Sequence, residues 1–316
     1  MLKPLVILVG PTATGKSAVA IELARQLNGE IVSGDSTQVY RGLDIGTAKV
    51  PLTQRKLAPH HLIDIINPED SFSVADFQKR ATQAIEEIHQ KGKLPILVGG
   101  TGLYIRSVVD PYQFAEVATD LSLRHSLQQE AIRVGEAEMH RCLGEIDPPA
   151  AERIHPGDIR RVIRALEVYY LTGQPISSFH HLGKKTAQKY NSVWIGLNLP
   201  RELLYQRIER RVDEMLEAGL VNEVERLLSQ GVDPGSNSMQ ALGYKEIIGY
   251  LKGEYDLPTA VNLIKRNTRR FAKRQLTWFR RDSRIHWFDV ASYPDLPELI
   301  QKICLVVGRT ININVE

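Results

Sequence analysis

The sequence predicts an α/β fold in which helices cover both faces of a parallel sheet and a helical segment interrupts the core. Three observations predict it. Residues 10–17 fit the pattern G-x-x-x-x-G-K-[ST], a loop whose backbone N–H groups wrap phosphate oxygens. Short apolar runs alternate with helical patterns along most of the chain, as in sheets with crossover helices. That alternation lapses between about 113 and 190.

The phosphate-binding loop lies in the strand–loop–helix context that its function requires. Apolar residues 5–9 precede it and helix-compatible residues 17–27 follow it. A helix start offers unpaired N–H donors and a favourable dipole to an anion. We expect the Lys16 ammonium to contact phosphate oxygens and the Ser17 hydroxyl to ligate Mg²⁺. The sequence thus predicts a pyrophosphate site formed by Gly10, Pro11, Thr12, Ala13, Thr14, Gly15, Lys16 and Ser17.

The remaining elements follow from short apolar runs and amphipathic patterns. Strands are predicted at 5–9, 30–33, 94–98, 193–197 and 285–288. Helices are predicted at 17–27, 74–90, 158–171, 201–218 and 220–230, with a last long helix from about 256 to 281. We therefore predict a core whose first part spans 1–112, a helical insertion at 113–191, and a second core part at 192–316.

Composition restricts the class of protein. A chain of 316 residues with 43% hydrophobic residues can bury a full core. The two cysteines, Cys142 and Cys304, match no metal or redox spacing and are expected to be reduced thiols. No apolar run reaches membrane-spanning length, and residues 1–10 are too short for a signal peptide. We expect a cytoplasmic protein that does not contact membranes.

Positive charge is concentrated near the C-terminus. The net charge is only +3, yet residues 265–284 contain nine Lys or Arg and one acid, Asp282. Six of these cations follow helical spacing and form a basic stripe: Arg266, Arg269, Arg270, Lys273, Arg274 and Arg281. A second basic group, Arg160, Arg161 and Arg164, lies on the clearest helix of the insertion. A merely solvated helix is the alternative, but two basic helices together favour a folded RNA as partner.

Two predicted strands end in residues suited to chemistry. Asp35 follows strand 30–33, so its carboxylate would lie at the mouth of the phosphate loop. It is either a turn or cap residue, or a base or metal-shell residue on the acceptor side. Residues 99–102, Gly-Gly-Thr-Gly, follow strand 94–98 and would let a ligand approach the backbone near the Thr101 hydroxyl. In many phosphate-loop NTPases such a strand ends in an acid that helps to hold the metal, so its absence here weakens the nucleotide-hydrolase interpretation.

Two further groups of residues, a set of arginines and a pair of histidines, indicate a function less specifically. Arg207 and Arg211 are four residues apart on a predicted helix, so both can point the same way. Together with Arg210 they would clamp a leaving phosphate, or else form a solvated face. His60 and His61 are adjacent, so their side chains diverge, and no third ligand matches them. We expect these histidines to be structural.

Longer motifs carry a resemblance to a known family. They are GPTATGKS (10–17), DSTQVYRGLDIGTAK (35–49), HHLID (60–64), GGTGLY (99–104), RRVIRALEV (160–168), QALGYKE (240–246) and TRRFAKRQLTWFRR (268–281). In this order, over nearly the whole chain, the sequence resembles the bacterial tRNA dimethylallyltransferases, also called tRNA isopentenyltransferases. The family often has Ser where Thr14 stands, and the hydroxyl is retained. The resemblance implies a P-loop-type core and the transfer of a dimethylallyl group from dimethylallyl diphosphate to N6 of the adenine 3′ of the tRNA anticodon.

The resemblance also implies partners and roles for individual residues. Residues 12–17 would hold the diphosphate with Mg²⁺ as cofactor, and Asp35, Thr101 and Arg211 would be catalytic. A monomer that binds the anticodon stem-loop is expected. The residues implied in tRNA binding are Asp35, Ser36, Thr37, Gln38, Thr101, Arg124, Arg160, Arg161, Val162, Ile163, Arg164, Gln240, Ala241, Leu242, Gly243, Tyr244 and Lys245.

The chemistry suits these roles. An exocyclic adenine amine is a weak nucleophile, so departing diphosphate must be stabilised by Mg²⁺, Lys16, Arg211 and loop N–H groups. The amine proton becomes acidic only as the C–N bond forms, so an ordinary carboxylate at Asp35 can accept it late. The target base must leave its stack to enter the site.

Three other functions remain compatible with parts of the pattern. An adenylate isopentenyltransferase would share the loop and Asp35, but it needs neither the insertion nor the basic helix. A small-molecule kinase would use Asp35 to orient an acceptor hydroxyl and Arg207 and Arg211 as part of a lid. A nucleotide-regulated RNA-binding module would use the loop as a switch. We favour prenyl transfer to tRNA.

Overall fold

A six-stranded parallel sheet organises the chain. The computed structural model describes residues 2–110, 120–182 and 189–311. Within them the strands are β1 Lys3–Val9, β2 Gly29–Ser33, β3 His60–His61, β4 Leu94–Gly99, β5 Tyr190–Asn198 and β6 Ile285–Asp289. Their order across the sheet is β3-β2-β4-β1-β5-β6, and every pair is parallel. All five predicted strands are confirmed, whereas β3 has only two residues and carries no sequence pattern of its own.

The helices confirm most of the predicted pattern. They are α1 Lys16–Gln26, α2 Leu52–Arg55, α3 Val74–Gln90, α4 Gly102–Val109, α5 Leu121–Val134, α6 Glu136–Ile146, α7 Pro148–Arg153, α8 Ile159–Thr172, α9 Ile176–Leu182, α10 Arg201–Glu217, α11 Leu220–Ser229, α12 Tyr244–Leu251, α13 Leu257–Phe279 and α14 Leu296–Ile311. One prediction is wrong: α13 is not the last long helix, because α14 follows β6. None of the described helices is both long and apolar enough to cross a membrane.

The two faces of the sheet are covered by different helices. Along β1, alternate side chains point to opposite faces, as the strand period of two requires. Val6 and Leu8 pack in a buried cluster with α1 and α14, where Ile303 is fully buried. Leu5, Ile7 and Val9 pack in a second cluster with α3 and α4, where Phe77 is fully buried. The predicted two-sided α/β core is therefore confirmed, with α14 as an unpredicted part of one layer.

A third cluster lies beyond the strand ends. Buried residues of α10 to α13, including Val224, Ile247 and Ile264, pack around Val39 and Leu43. Val39 and Leu43 belong to the long segment that follows β2. The packing of these helices therefore fixes the segment that carries Asp35.

The chain divides into two compact units, Met1–Val109 with Lys189–Glu316, and Asp110–Gln188. The second unit contains α5 to α9 around a core that includes Leu143, Val162 and Leu166. Helix α8 matches the predicted helix 158–171 and ends at Gly173, whose left-handed φ of 68° suits a C-terminal cap. The predicted boundary at 112/113 lies outside the described residues. The predicted boundary at 191/192 is too late, because β5 begins at Tyr190.

Candidate active site

The carboxyl ends of the central strands open into a cavity of about 830 Å³. The parallel register places Val9 opposite Gly99 and Ser33 opposite Val98, so three strand ends meet at one edge. The cavity brings together the three residues expected to be catalytic, Asp35, Thr101 and Arg211, with much of the phosphate loop. Those loop residues are Thr12, Ala13, Gly15, Lys16 and Ser17. One pocket therefore holds both the expected donor side and the expected acceptor side.

Internal contacts shape the phosphate loop. The Thr14 hydroxyl donates to the Pro11 carbonyl at 2.9 Å, and the Lys16 ammonium donates to the same carbonyl at 2.6 Å. Gly10 has φ 145°, and a Cβ there would overlap the Leu197 carbonyl on neighbouring β5. Gly15 has φ 90°, which glycine adopts at little cost. These residues therefore account for the tight turn that the motif predicts.

The loop is a cationic site. Burial and the nearby positive charge of Arg211 lower the pKa of Lys16 to about 7, although Asp35 opposes the shift. Arg211 donates to the Thr12 hydroxyl at 3.3 Å, which draws its guanidinium toward the loop. Two cations that repel each other across a partly buried pocket favour an anion between them. A diphosphate is such an anion.

The other two arginines of α10 differ from Arg211. Arg207 and Arg210 line the same cavity but are exposed on its outer side. Arg210 pairs with Glu214 at 2.9 Å. The spacing of Arg207 and Arg211 therefore does place both on the cavity wall. Of the three arginines, Arg211 is the one with a hydrogen bond to the phosphate loop in the described part of the chain.

The Asp35 carboxylate orders the turn that follows β2. Its Oδ1 accepts from the Thr37 N–H at 2.8 Å and from the Thr37 hydroxyl at 2.7 Å. The Gln38 N–H also approaches Oδ1, at 3.4 Å. In the described part of the chain, Oδ2 accepts no hydrogen bond. Asp35 thus stabilises the turn through one oxygen, and its other oxygen is not engaged by the described residues.

The acceptor side is supported by a buried acid that sequence analysis missed. Glu223 of α11 accepts backbone N–H bonds from Asp44, Ile45 and Gly46 at 2.9–3.2 Å. The Tyr244 hydroxyl donates to the same carboxylate at 2.5 Å. The available signal was an acid on the apolar stripe of α11, where Glu223 lies among buried leucine and valine residues. Its role is to fix the loop 44–46.

A second network explains the GTAK and HHLID motifs. The buried Lys49 ammonium binds Asp44 and Asp64 at 2.6 Å each, and the Tyr40 carbonyl at 2.8 Å. Arg55 also binds Asp64, at 2.8 Å. Burial alone would raise the pKa of Asp64, but the hydrogen bonds from Lys49 and Arg55 outweigh it and lower the pKa. This network closes the wall of the cavity beside Thr47 and Ala48.

His60 and His61 make structural contacts. His60 Nδ1 lies 2.7 Å from the Ala58 carbonyl, and His61 Nε2 lies 2.8 Å from Glu30. Burial lowers the pKa of His60. Among the described residues, no group of three potential metal-ligating side chains is present. These contacts agree with the structural role that we predict for the pair.

Helix α13 contributes a second residue that sequence analysis missed. Gln275 lies within the motif at 268–281, and its side chain lines the cavity. Its Oε1 accepts from the Thr12 N–H at 2.9 Å, and its Nε2 donates to the Gly100 carbonyl at 2.9 Å. A buried amide within a basic helix was the available signal. Gln275 links two loops of the site.

The residues implied in tRNA binding lie in several settings. Ala241, Leu242, Gly243 and Lys245 line the cavity, while Gln240 is exposed and Tyr244 is fully buried. In the second unit, Arg160 and Arg161 are exposed, whereas Arg124 and Arg164 both bind Glu167 at 2.7–2.8 Å. Val162 and Ile163 are buried in the core of that unit, so their side chains serve packing. The tRNA-binding roles remain predictions.

The basic stripe of α13 is mostly exposed. Arg266, Arg270 and Lys273 are solvent-exposed, and Arg274 is exposed while also lining the cavity. Arg269 differs, because it pairs with Glu209 of α10 at 2.5 Å. Within the predicted stripe, the charge of Arg269 is therefore countered by a neighbouring helix.

Comparisons with known proteins find similar sequences and similar structures. The family model "IPP transferase" matches residues 38–282. The tRNA dimethylallyltransferase of Carboxydothermus hydrogenoformans is 54% identical over 308 residues, covering 98% of each chain. The crystal structure of the tRNA isopentenylpyrophosphate transferase of Bacillus halodurans matches with a TM-score of 0.71 at 45% identity, covering 99% of both chains. A eukaryotic dimethylallyltransferase described as acting on tRNA matches with a TM-score of 0.81 at 30% identity, covering 99% of this chain and 81% of that one.

Proposed function

Because this chain belongs to the IPP transferase family, we infer that it is a tRNA-modifying enzyme that transfers a dimethylallyl group to an adenine of tRNA. We further propose that the donor is dimethylallyl diphosphate, that the acceptor atom is N6 of the adenine 3′ of the anticodon, and that diphosphate is released. A monomeric state and a cytoplasmic location remain predictions.

One observation supports this function above the others. A single cavity contains a cationic phosphate loop, with Lys16 and Arg211, and a carboxylate, Asp35, that has one oxygen available. A prenyl transfer to an amine needs both: a site that accepts the negative leaving group and a base beside the nucleophile. An anion-binding loop without the acid would serve binding but not this transfer.

On the donor side, the chain's own groups stabilise the leaving diphosphate. As the bond between the allylic carbon and the diphosphate oxygen breaks, negative charge grows on the phosphate oxygens. Lys16, Arg211 and the loop N–H groups would bind that charge, and the contact of Arg211 with Thr12 in the same partly buried pocket supports this. Since these groups already lie together before the reaction, little reorganisation is required.

A divalent metal fits the same place. The Ser17 hydroxyl and the Asp35 carboxylate line the cavity, and hard oxygen donors of this kind suit Mg²⁺. Ser17 would hold it, with phosphate oxygens and water completing the shell. When bound, Mg²⁺ would supply further neutralisation of the diphosphate charge.

On the acceptor side, Asp35 handles the adenine amine. Thr37 and Gln38 fix one carboxylate oxygen through three hydrogen bonds, so the other is held in a defined direction. That oxygen orients N6 and takes its proton as the new C–N bond forms. The hydroxyl oxygens of Thr101 and Ser36 are 3.5 Å apart, and both residues line the same cavity as Asp35. They would frame the purine.

The RNA would be held through its phosphates. The exposed cations Arg266, Arg270 and Lys273 on α13 provide a charged surface, and Arg274 extends it to the cavity. Arg160 and Arg161 provide exposed cations on the second unit. A structured anticodon stem-loop is recognised mainly by shape and backbone, with the reactive base turned out of its stack.

Mass spectrometry of nucleosides tests the proposal. We expect the enzyme, incubated with unmodified tRNA, dimethylallyl diphosphate and Mg²⁺, to produce an N6-prenylated adenosine and an equal amount of diphosphate. An anticodon stem-loop with guanine at the target position serves as the control and should give no product. Hydrolysis of ATP without prenylated nucleoside would instead indicate the kinase or switch alternatives.

A further inference from the structure

The side chain of Gln275 connects the donor and acceptor sides of the cavity. Its amide oxygen accepts from the Thr12 N–H of the phosphate loop, and its amide nitrogen donates to the Gly100 carbonyl, both at 2.9 Å. The residue is only 7% exposed. Because one end can only accept and the other can only donate, the amide has a single orientation that satisfies both loops.

The Gly100 side of this link has no spare room. A Cβ at Gly100 would overlap the Gln275 amide nitrogen, and a Cβ at Gly102 would overlap the Trp278 ring one turn further along α13. The loop that carries Thr101 therefore rests directly on this helix. A side chain at Gly100 would displace the Gln275 amide, and one at Gly102 would have to move the Trp278 ring.

The phosphate-loop side is packed against the same helix. Ala272 is buried with Leu204 and Ile208 of α10, and Ala13 and Leu276 pack against that cluster. Ala13 belongs to the phosphate loop. Side chains on successive turns of α13 thus contact both loops, while Arg270 and Lys273 of the same helix face solvent.

From this geometry we propose that Gln275 is a positioning residue that sets the spacing between the diphosphate cradle and the Thr101 loop. It acts through Thr12 and Gly100 on the alignment of the allylic carbon with the adenine amine. This inference rests on the proposed function. Misalignment of two reacting groups by about 1 Å can reduce a rate about 100-fold while each substrate still binds.

The first test removes both hydrogen bonds of the Gln275 side chain and keeps the side chain about the same size. We expect Gln275→Met to lower kcat by roughly 10- to 100-fold, with KM for the donor and for tRNA changed by less than about threefold. Gln301→Met, at an exposed glutamine of α14, is the matched control and should equal the parent enzyme. Thermal unfolding and calorimetric titration with inorganic diphosphate establish how much folded, binding-competent protein each sample contains.

The second test distinguishes positioning from simple structural support. In Gln275→Glu, a protonated carboxyl can accept from the Thr12 N–H and donate to the Gly100 carbonyl, but an ionised one repels that carbonyl. The activity of Gln275→Glu relative to the parent should therefore rise as the pH falls from about 8 to about 5.5. The relative activity of Gln275→Met should stay flat over that range.

The outcomes separate this inference from the proposed function. If the parent forms no prenylated nucleoside, the proposed function fails. If the parent forms it and Gln275→Met has the parent's kcat, the positioning role is refuted. A loss of kcat that merely follows the loss of folded protein, or a pH-independent relative activity of Gln275→Glu, also refutes it.

Discussion

The two sides of the cavity are built differently. The donor side is largely local: residues 10–17 form the phosphate loop, and several of their contacts lie within it. The acceptor side is assembled from distant positions, because Glu223 and Tyr244 hold the loop 44–46 and Lys49 binds Asp64. A local site can be found by its motif, whereas a distributed site depends on packing that no short pattern reveals.

The largest expected effect comes from Asp35, at the point where the two sides meet. Asparagine keeps an oxygen that can accept from the Thr37 N–H, so Asp35→Asn should preserve the turn. Without the second carboxylate oxygen the adenine proton has no acceptor, and we expect kcat to fall by about 10²–10⁴-fold. Single-turnover prenylation measures the rate, and filter binding should show tRNA affinity within a few-fold of the parent. Parental turnover would exclude Asp35 as the base.

Glu223 tests whether the acceptor side can be disturbed alone. In Glu223→Gln, the amide nitrogen would face backbone N–H groups that the carboxylate now accepts, at a cost of about 1–3 kcal/mol. We expect KM for tRNA to rise and the affinity for inorganic diphosphate to stay constant.

Steady-state kinetics measure KM for tRNA, calorimetric titration measures the affinity for diphosphate, and chemical denaturation measures the loss of stability. Tyr244→Phe removes only one donor to the same carboxylate and should give a smaller change of the same kind. An equal loss of diphosphate affinity in Glu223→Gln would contradict the separation of the two sides.

The donor side has a pH signature. The pKa of Lys16 is about 7, so the ammonium loses its charge in the free enzyme above that pH. We expect kcat/KM for the donor, relative to Lys16→Met, to fall by up to about tenfold per pH unit above pH 7.

The same shift affects stability. Between pH 7 and the ordinary value of 10.5, the unfolded chain binds more protons at this site, so its contribution to stability rises with pH. Below pH 7 the buried charge destabilises the folded state fully. Urea denaturation of the parent and Lys16→Met checks this. A difference in free energy that is independent of pH would contradict the assignment.

The smallest effects are expected on the basic helix. Arg270→Gln should weaken tRNA binding several-fold and reduce the slope of log affinity against log salt by about 0.7–0.9. Arg269→Gln should have a weaker effect, because Glu209 already counters that charge. Equilibrium binding at several salt concentrations gives both slopes. Equal slopes for the two variants would show that the ion pair does not matter for RNA binding.

Much of this fold could be predicted from the sequence because its elements carry local patterns. The five buried strands, the phosphate loop and the helix 74–90 follow from apolar runs and glycine spacing. Helix α14, which follows the basic segment, was overlooked. The two-residue strand β3 could not be predicted, since it depends on pairing with β2.

The site shows the same limit. Lys16, Asp35 and Thr101 each lie just after a predicted strand or in the predicted phosphate loop. Parallel topology therefore predicts that they meet in one cavity. Gln275 and Glu223 act across 263 and about 178 residues of sequence, and only the folded chain shows what they bind. The sequence therefore does not show what the buried polar residues of amphipathic helices bind.

In the second unit, one carboxylate oxygen of Glu167 binds both Arg124 and Arg164, and these contacts lower its pKa although burial opposes them. Replacing the acid alone would leave two neighbouring cations without their shared anion, and replacing one arginine would leave the acid with a weaker counterion. Neither change is tolerated easily by itself. Across related enzymes, the residues at positions 124, 164 and 167 should therefore covary, so that a relative has all three replaced or none.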